Sequence, residues 1–188
     1  VVCVKETLVL QVLLQLIWLR FHLINNFQEF DMRIIFLIIF LSCAGLIGYA
    51  IYLQLFEDLL PCPLCVAQRI AYWAIGLTAL IAYFTQSSSA ILKNFHAMIV
   101  VFAMTGAVIA GRHAWLIRFP ESFECGISPE EAFLNALPLA QWWPTMFEAN
   151  GDCADTSWKF LLLTIPDWSL IVFIIIGGAT LFSGFRSK

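Results

Sequence analysis

The sequence predicts an all-α membrane protein: a four-transmembrane-helix bundle with one long outer loop that carries a short interfacial helix. Three observations predict it. The 188-residue chain is 61% hydrophobic and only 12% charged, whereas a soluble domain is about half apolar and about a quarter charged. The apolar residues are gathered into four blocks, each long enough to cross a hydrocarbon core of roughly 30 Å. Between the third and fourth blocks lies a segment, 118–167, that is acidic and carries paired tryptophans and prolines.

The first span, 34–56, reads "IIFLIIFLSCAGLIGYAIYLQLF" and contains no charge. The second, 66–84, is free of charge after Arg69 and ends in the polar "TQSSS". The third, 95–117, holds Arg112 and His113 near its far end, and the fourth, 168–185, stops at Arg186–Ser187–Lys188. Segment 118–167 is too long for a simple connector, so it is expected to be either functional or disordered. Within it, "ALPLAQWWPTMF" (136–147) is expected to lie at the lipid–water boundary, where Trp is enriched, or to form a lid over the bundle.

Charge sets the orientation. Arg33, Lys93, Arg186 and Lys188 fall on one side, and Glu57, Asp58 and segment 118–167, with eight acids against two bases, on the other. The positive-inside rule puts the first set in the cytoplasm, both termini with it, and both cysteine-bearing loops outside. The net charge of −3 says little about partners, and Lys and Arg scattered singly form no basic cluster that would suggest nucleic-acid binding. Residues 1–31 stand apart: "LVLQVLLQLIWLRFHLI" is apolar but broken by Gln11, Gln15, Arg20 and His22. An interfacial helix, a fifth span and a signal-like stretch all fit it. Met32–Arg33 before an apolar run reads as a natural start, so 1–31 is expected to be an extension outside the chemistry and 32–188 the membrane domain.

Six cysteines are many for such a chain. Cys3 and Cys43 lie in apolar surroundings, as small hydrophobes do. The other four fall in or beside polar connections. Cys62 and Cys65 stand two residues apart at the mouth of the second span. A zinc site there needs further ligands, and Cys125 and Cys153 are far off in sequence, with His113 the nearest histidine. A purely structural disulfide over so short a loop stabilises little. A redox pair is favoured, because the amides and dipole at a helix start favour thiolate over thiol.

Arg69, four residues after Cys65, is expected one turn deeper on the same face. A buried arginine costs about 2.5–3.5 kcal/mol on insertion scales, so it calls for a partner. Holding an oxidant whose oxygens gain charge on reduction is one reading, and snorkelling to the interface is the other. His113 either lines the same cavity or is an interfacial hydrogen-bonder. Arg112 and Arg118 are expected as interfacial anchors, and His22 and His96 as structural. Cys125 and Cys153 sit in "FECGIS" and "NGDCADTSW". A disulfide between them would stabilise by about 3–4 kcal/mol as a staple, yet an exposed disulfide is also open to thiolate attack.

"PCPLCVAQR" (61–69), "GDC" (151–153), "TIPDW" (164–168) and four spans together resemble the disulfide bond formation protein B (DsbB) family, over about 32–185. The resemblance implies a multi-pass bacterial inner-membrane thiol:quinone oxidoreductase that reoxidises a DsbA-like periplasmic thiol oxidase. It implies redox disulfides Cys62–Cys65 and Cys125–Cys153. Cys125 matches the cysteine that joins the partner, Cys153 its mate that exchanges with Cys62, and Cys65 the one beside the quinone. Arg69 and His113 match the quinone-side residues, with ubiquinone or menaquinone as cofactor and no metal. Gln68 departs from the family's better-known members, which place an acid there. Electron flow in the opposite direction, a vitamin-K-epoxide-reductase-like bundle and a non-catalytic membrane protein with stapled loops are the rival readings.

Overall fold

A computed structural model of the chain describes residues 33–57, 59–85, 89–119, 129–153 and 159–186. The extension 1–31, with Cys3 and His22, and also Cys125, lie outside the described residues. In chain order the elements are α1 (Arg33–Phe56), α2 (Pro63–Phe84), α3 (Ser89–Arg118), α4 (Pro129–Ala136), α5 (Pro138–Trp142), α6 (Pro144–Phe147), β1 (Lys159–Phe160), β2 (Leu163–Thr164) and α7 (Ile165–Arg186). Four of them, α1, α2, α3 and α7, are long and apolar enough to cross a membrane. The protein is thus the four-span all-α membrane protein that the composition predicts.

Three starts differ from the expected ones, each for a local reason. Helix α2 begins at Pro63 rather than Val66. Proline suits the first helical position, and the Cys62 sulfur caps the turn by accepting the Cys65 N–H at 3.3 Å. Helix α7 begins at Ile165 rather than Trp168, because Asp167 reaches back to Thr164. Its Oδ2 accepts the Thr164 N–H at 3.0 Å and the Thr164 hydroxyl at 2.7 Å, the backward half of a capping box. Helix α3 begins at Ser89 rather than Phe95, so helix continues through the polar stretch that hydropathy alone assigns to a connection.

Helix α2 is the centre of the bundle: 56% of its most apolar window is buried, against 22% for α1. Small residues set the helix spacing. A methyl at Gly76 would stand 3.4 Å from the Cys43 side chain of α1, and one at Gly106 of α3 would overlap the Phe173 ring of α7. Phe173 also stacks on Tyr72, centroids 4.2 Å apart, and the Tyr72 hydroxyl meets Ser169 Oγ at 3.0 Å. Ile75, Ile99, Ala79 and Phe36 fill the space between. Residues such as Leu55, Ile81, Val101, Met104, Ile174 and Phe182 point outward, as a lipid-facing surface requires.

Among its described residues the outer segment holds three short helices in place of one. Each begins with a proline (Pro129, Pro138, Pro144), which starts a helix well but cannot continue the one before it. Trp142 is 88% exposed, whereas Met146 is fully buried, so the segment packs over the bundle through one side. The Asn135 amide ties it together: Nδ2 donates to the Ala149 carbonyl at 2.9 Å, and Oδ1 accepts the Ala149 N–H at 2.8 Å. A two-stranded hairpin, β1 paired antiparallel with β2, was not expected from sequence. Its turn residues Leu161 and Leu162 both have positive φ, 51° and 66°, the twist a two-residue hairpin needs but one that leucine adopts at a cost. The hairpin is held to α7 by Trp168 Nε1–H donating to the Phe160 carbonyl at 3.2 Å. Arg118, expected as an interfacial anchor, instead donates to Asp167 at 2.8 Å and so ties the end of α3 to the α7 cap.

Candidate functional site

The Cys62–Cys65 turn is where the segments converge. Asn150 and Gly151 both donate their N–H groups to the Pro61 carbonyl at 3.0 Å. This docking requires glycine, because a Cβ on residue 151 would overlap the Leu60 carbonyl. Two residues later Cys153 is brought against α2. The sulfurs of Cys62 and Cys153 and a ring nitrogen of His113 lie within 4.8 Å of one another, and all three residues are buried. The sulfurs of Cys62 and Cys65 are 3.1 Å apart without a bond between them, and Cys43 and Cys153 are likewise free.

His113 reaches this cluster from α3. Its Nε2 lies 3.6 Å from the Cys62 sulfur and 3.2 Å from the Cys153 carbonyl. A carbonyl only accepts, so Nε2 carries the proton and Nδ1 is the acceptor. The Gln68 amide completes that arrangement, donating to Nδ1 at 3.2 Å. Gln68 therefore does what an acid there would not do to a neutral ring of this tautomer: it offers a donor. The Cys65 sulfur is 3.9 Å from the same Nδ1.

The thiols do not share their protons evenly. Cys153 is drawn down to about 7, first by the hydrogen bond from the Cys62 thiol and then by the Leu64 N–H. Cys62 is pushed up, first by its hydrogen bonds with Cys153 and Cys65 and then by burial. Of the two, Cys153 gives up its proton the more readily. A thiolate beside the sulfur of a neighbouring pair is the geometry of thiol–disulfide exchange.

The other face of the turn opens on an apolar cavity of about 430 Å³. Leu53, Tyr72, Phe160 and Trp168 contribute to its wall, and Cys65, Gln68 and Arg69 supply its polar side. His113 does not line it. Arg69 is buried, as its place one turn beyond Cys65 predicts. It donates to Gln54 Oε1 at 3.0 Å and to the carbonyls of Ala50, Thr145 and Met146, each at 3.4 Å. These acceptors are neutral, so they orient the guanidinium without cancelling its charge. A lipid-soluble ring with carbonyl oxygens fits this site: the wall is apolar, a fixed cation sits at one edge, and a thiol faces in.

Three participants escaped the sequence reading. Gln54 holds Arg69, and its signal was visible, since it is the one amide in an uncharged span. Gln68 donates to His113, a role that its identity alone does not show. Gly151 supplies the close approach, and only the fold reveals what it approaches. Cys125 lies outside the described residues, and with it the Cys125–Cys153 pairing.

Residues 32–183 match the family model described as disulfide bond formation protein DsbB. Disulfide bond formation protein B of Nitrosomonas eutropha is 66% identical over 146 residues, covering 78% of this chain and 90% of the relative. That of Nitrosospira multiformis is 63% identical over 150 residues, 80% of this chain and 89% of the relative. That of Methylococcus capsulatus is 37% identical over 158 residues, 83% and 96% of the two chains. With the family model covering the whole four-span region and these identities behind it, the chain belongs to the DsbB family.

Proposed function

We propose that this chain is a multi-pass inner-membrane thiol:quinone oxidoreductase with both termini cytoplasmic and its cysteine loops periplasmic. It reoxidises a DsbA-like dithiol oxidase and passes the electrons to ubiquinone or menaquinone. The observation that carries this reading is the double contact of the α2 start, with Cys153 on one face and the Arg69 cavity on the other. One thiolate of the partner attacks the Cys125–Cys153 disulfide, forms a mixed disulfide with Cys125 and releases Cys153 as thiolate. The partner's second thiolate then displaces Cys125, and the partner leaves oxidised. Cys153 attacks Cys62 of the Cys62–Cys65 disulfide, and the S–S bond of that pair breaks as Cys62–Cys153 forms. The displaced electron pair resides on Cys65, which faces the cavity. Cys125 closes back on Cys153, Cys62 is released, and Cys62 and Cys65 re-form their bond as two electrons leave.

Cys65, Arg69 and the apolar wall would hold a quinone, which would supply the acceptor for the two electrons and two protons. Arg69 would hold its ring-oxygen side, and the fixed charge in a dry site opposes the cost of negative charge appearing there. Gln54 keeps that guanidinium aimed, and the apolar wall excludes water. The test mixes reduced DsbA-type partner, the purified chain and a short-chain soluble quinone, and follows quinone absorbance. Thiol-dependent quinone reduction that is lost in Cys62→Ser and Cys65→Ser is expected. Absence of that reduction with correctly folded protein overturns the reading, and reduction of outer disulfides by added quinol reverses its direction.

A further inference from the structure

The described residues contain one cluster of three metal-ligating side chains, and it is Cys62, His113 and Cys153. Zinc takes sulfur at about 2.3 Å and imidazole at about 2.0–2.1 Å in a tetrahedron, which sets donor–donor separations of about 3.5–3.8 Å. The Cys62 sulfur and His113 Nε2 already stand at 3.6 Å. The Cys153 sulfur is within 4.8 Å of both. A fourth donor is adjacent: the Cys65 sulfur, outside the three-donor cluster, lies 3.1 Å from that of Cys62. The ligands come from the start of α2, α3 and the docked 150–153 segment; Cys62 and Cys65 have a metal-like spacing, and the fold adds His113 and Cys153 from far off in sequence.

We infer that, once Cys62, Cys65 and Cys153 are all reduced, these three thiols and His113 Nε2 chelate a zinc-class divalent cation. Binding moves no electrons; the thiols give up their protons as they become ligands. His113 must exchange its Nε2 proton for the metal and carry a proton on Nδ1 instead. Gln68, 3.2 Å from Nδ1, accepts that proton by turning its amide so that the oxygen faces the ring, the outer-shell partner a ligating histidine requires. Oxidation of any two of the cysteines removes ligands, so the site exists in the reduced state alone. A bound ion also ties up both sulfurs between which exchange would occur, which makes it a brake on the reduced protein. The metal site itself concerns no electron acceptor, so it stands or falls whether or not a quinone is reduced.

The test equilibrates detergent-purified full chain, fully reduced or fully oxidised, with zinc, removes free metal and measures bound zinc per chain. One zinc per reduced chain and none per oxidised chain is expected. Cys153→Ala and His113→Ala should weaken binding by at least tenfold, Gln68→Leu by about tenfold, while Cys125→Ala and Cys43→Ser keep it. Cobalt substitution of the unaltered reduced protein gives a readout that no variant's folding can confuse: sulfur-to-cobalt charge-transfer absorption with tetrahedral intensity. Equal zinc on oxidised and reduced protein, full retention in Cys153→Ala, or an octahedral cobalt spectrum without charge transfer overturns the inference.

Discussion

The two faces of the Cys62–Cys65 turn differ in almost every respect. One face is polar, thiol-lined and fixed by docking: His113 meets the Cys62 sulfur at 3.6 Å and both the Gln68 amide and the Cys153 carbonyl at 3.2 Å, and Gly151 pins the segment that delivers Cys153. The other face is an apolar hollow whose charged group, Arg69, is held by neutral acceptors. A single helix start serves both, because its two sulfurs stand 3.1 Å apart at the boundary, with Cys62 against His113 and Cys65 lining the hollow. The lesson is that the dithiol is a junction: sulfur chemistry enters on the docked face and leaves on the greasy one.

The largest effect should come from undocking the first face alone. Gly151→Val places a branched side chain against the Leu60 carbonyl, so oxidation of a protein dithiol should fall by about a hundredfold or more. A small dithiol that reduces Cys62–Cys65 directly should still drive quinone reduction, and parallel assays with the two donors separate the faces. If both donors lose equally, the comparison breaks.

The second face should answer to Arg69→Met with a loss of about ten- to a hundredfold in quinone kcat/KM, the scale of removing one charged donor from a dry site. Gln54→Leu, which leaves the charge but frees its aim, should cost less, several-fold, equivalent to about 1 kcal/mol. Titration with the soluble quinone should place both losses on the quinone side, with the partner's KM unchanged.

The proton balance of the first face gives a pH signature. In the fully reduced protein Cys153 should lose its proton with a midpoint near pH 7, being protonated below it and thiolate above. Thiolate ultraviolet absorbance should rise through that midpoint, and Cys62→Ala should move it upward by removing the hydrogen bond that draws it down. The smallest effect should come from the distant tie between α3 and α7. The Arg118 side chain is about half exposed, so breaking its pair with Asp167 through Arg118→Gln should lower stability by about 1 kcal/mol or less in thermal unfolding.

Much of this was readable from the chain. Four apolar blocks specify four spans because lipid leaves the backbone no other way to satisfy its hydrogen bonds. Cys62, Cys65 and Arg69 are close in sequence and share a helix start, so helical geometry alone sets their faces. The rest was not readable. The Leu161–Leu162 turn has none of the Asn or Gly that usually marks a hairpin. Helix α7 starts early because an Asp167 carboxylate caps it, a contact whose worth depends on Arg118 from another span.

The sequence by itself determined the membrane architecture, the dithiol and the buried cation, since each follows from hydropathy or from spacing within one helix. Only the tertiary structure decided which sulfur Cys153 meets, that His113 backs the thiols instead of lining the cavity, and that Gln54 steers Arg69. Those are contacts between segments from 15 to more than 90 residues apart, chosen by the packing of four helices and one docked loop. No local propensity encodes them, because the energy that selects them exists only once the helices have come together.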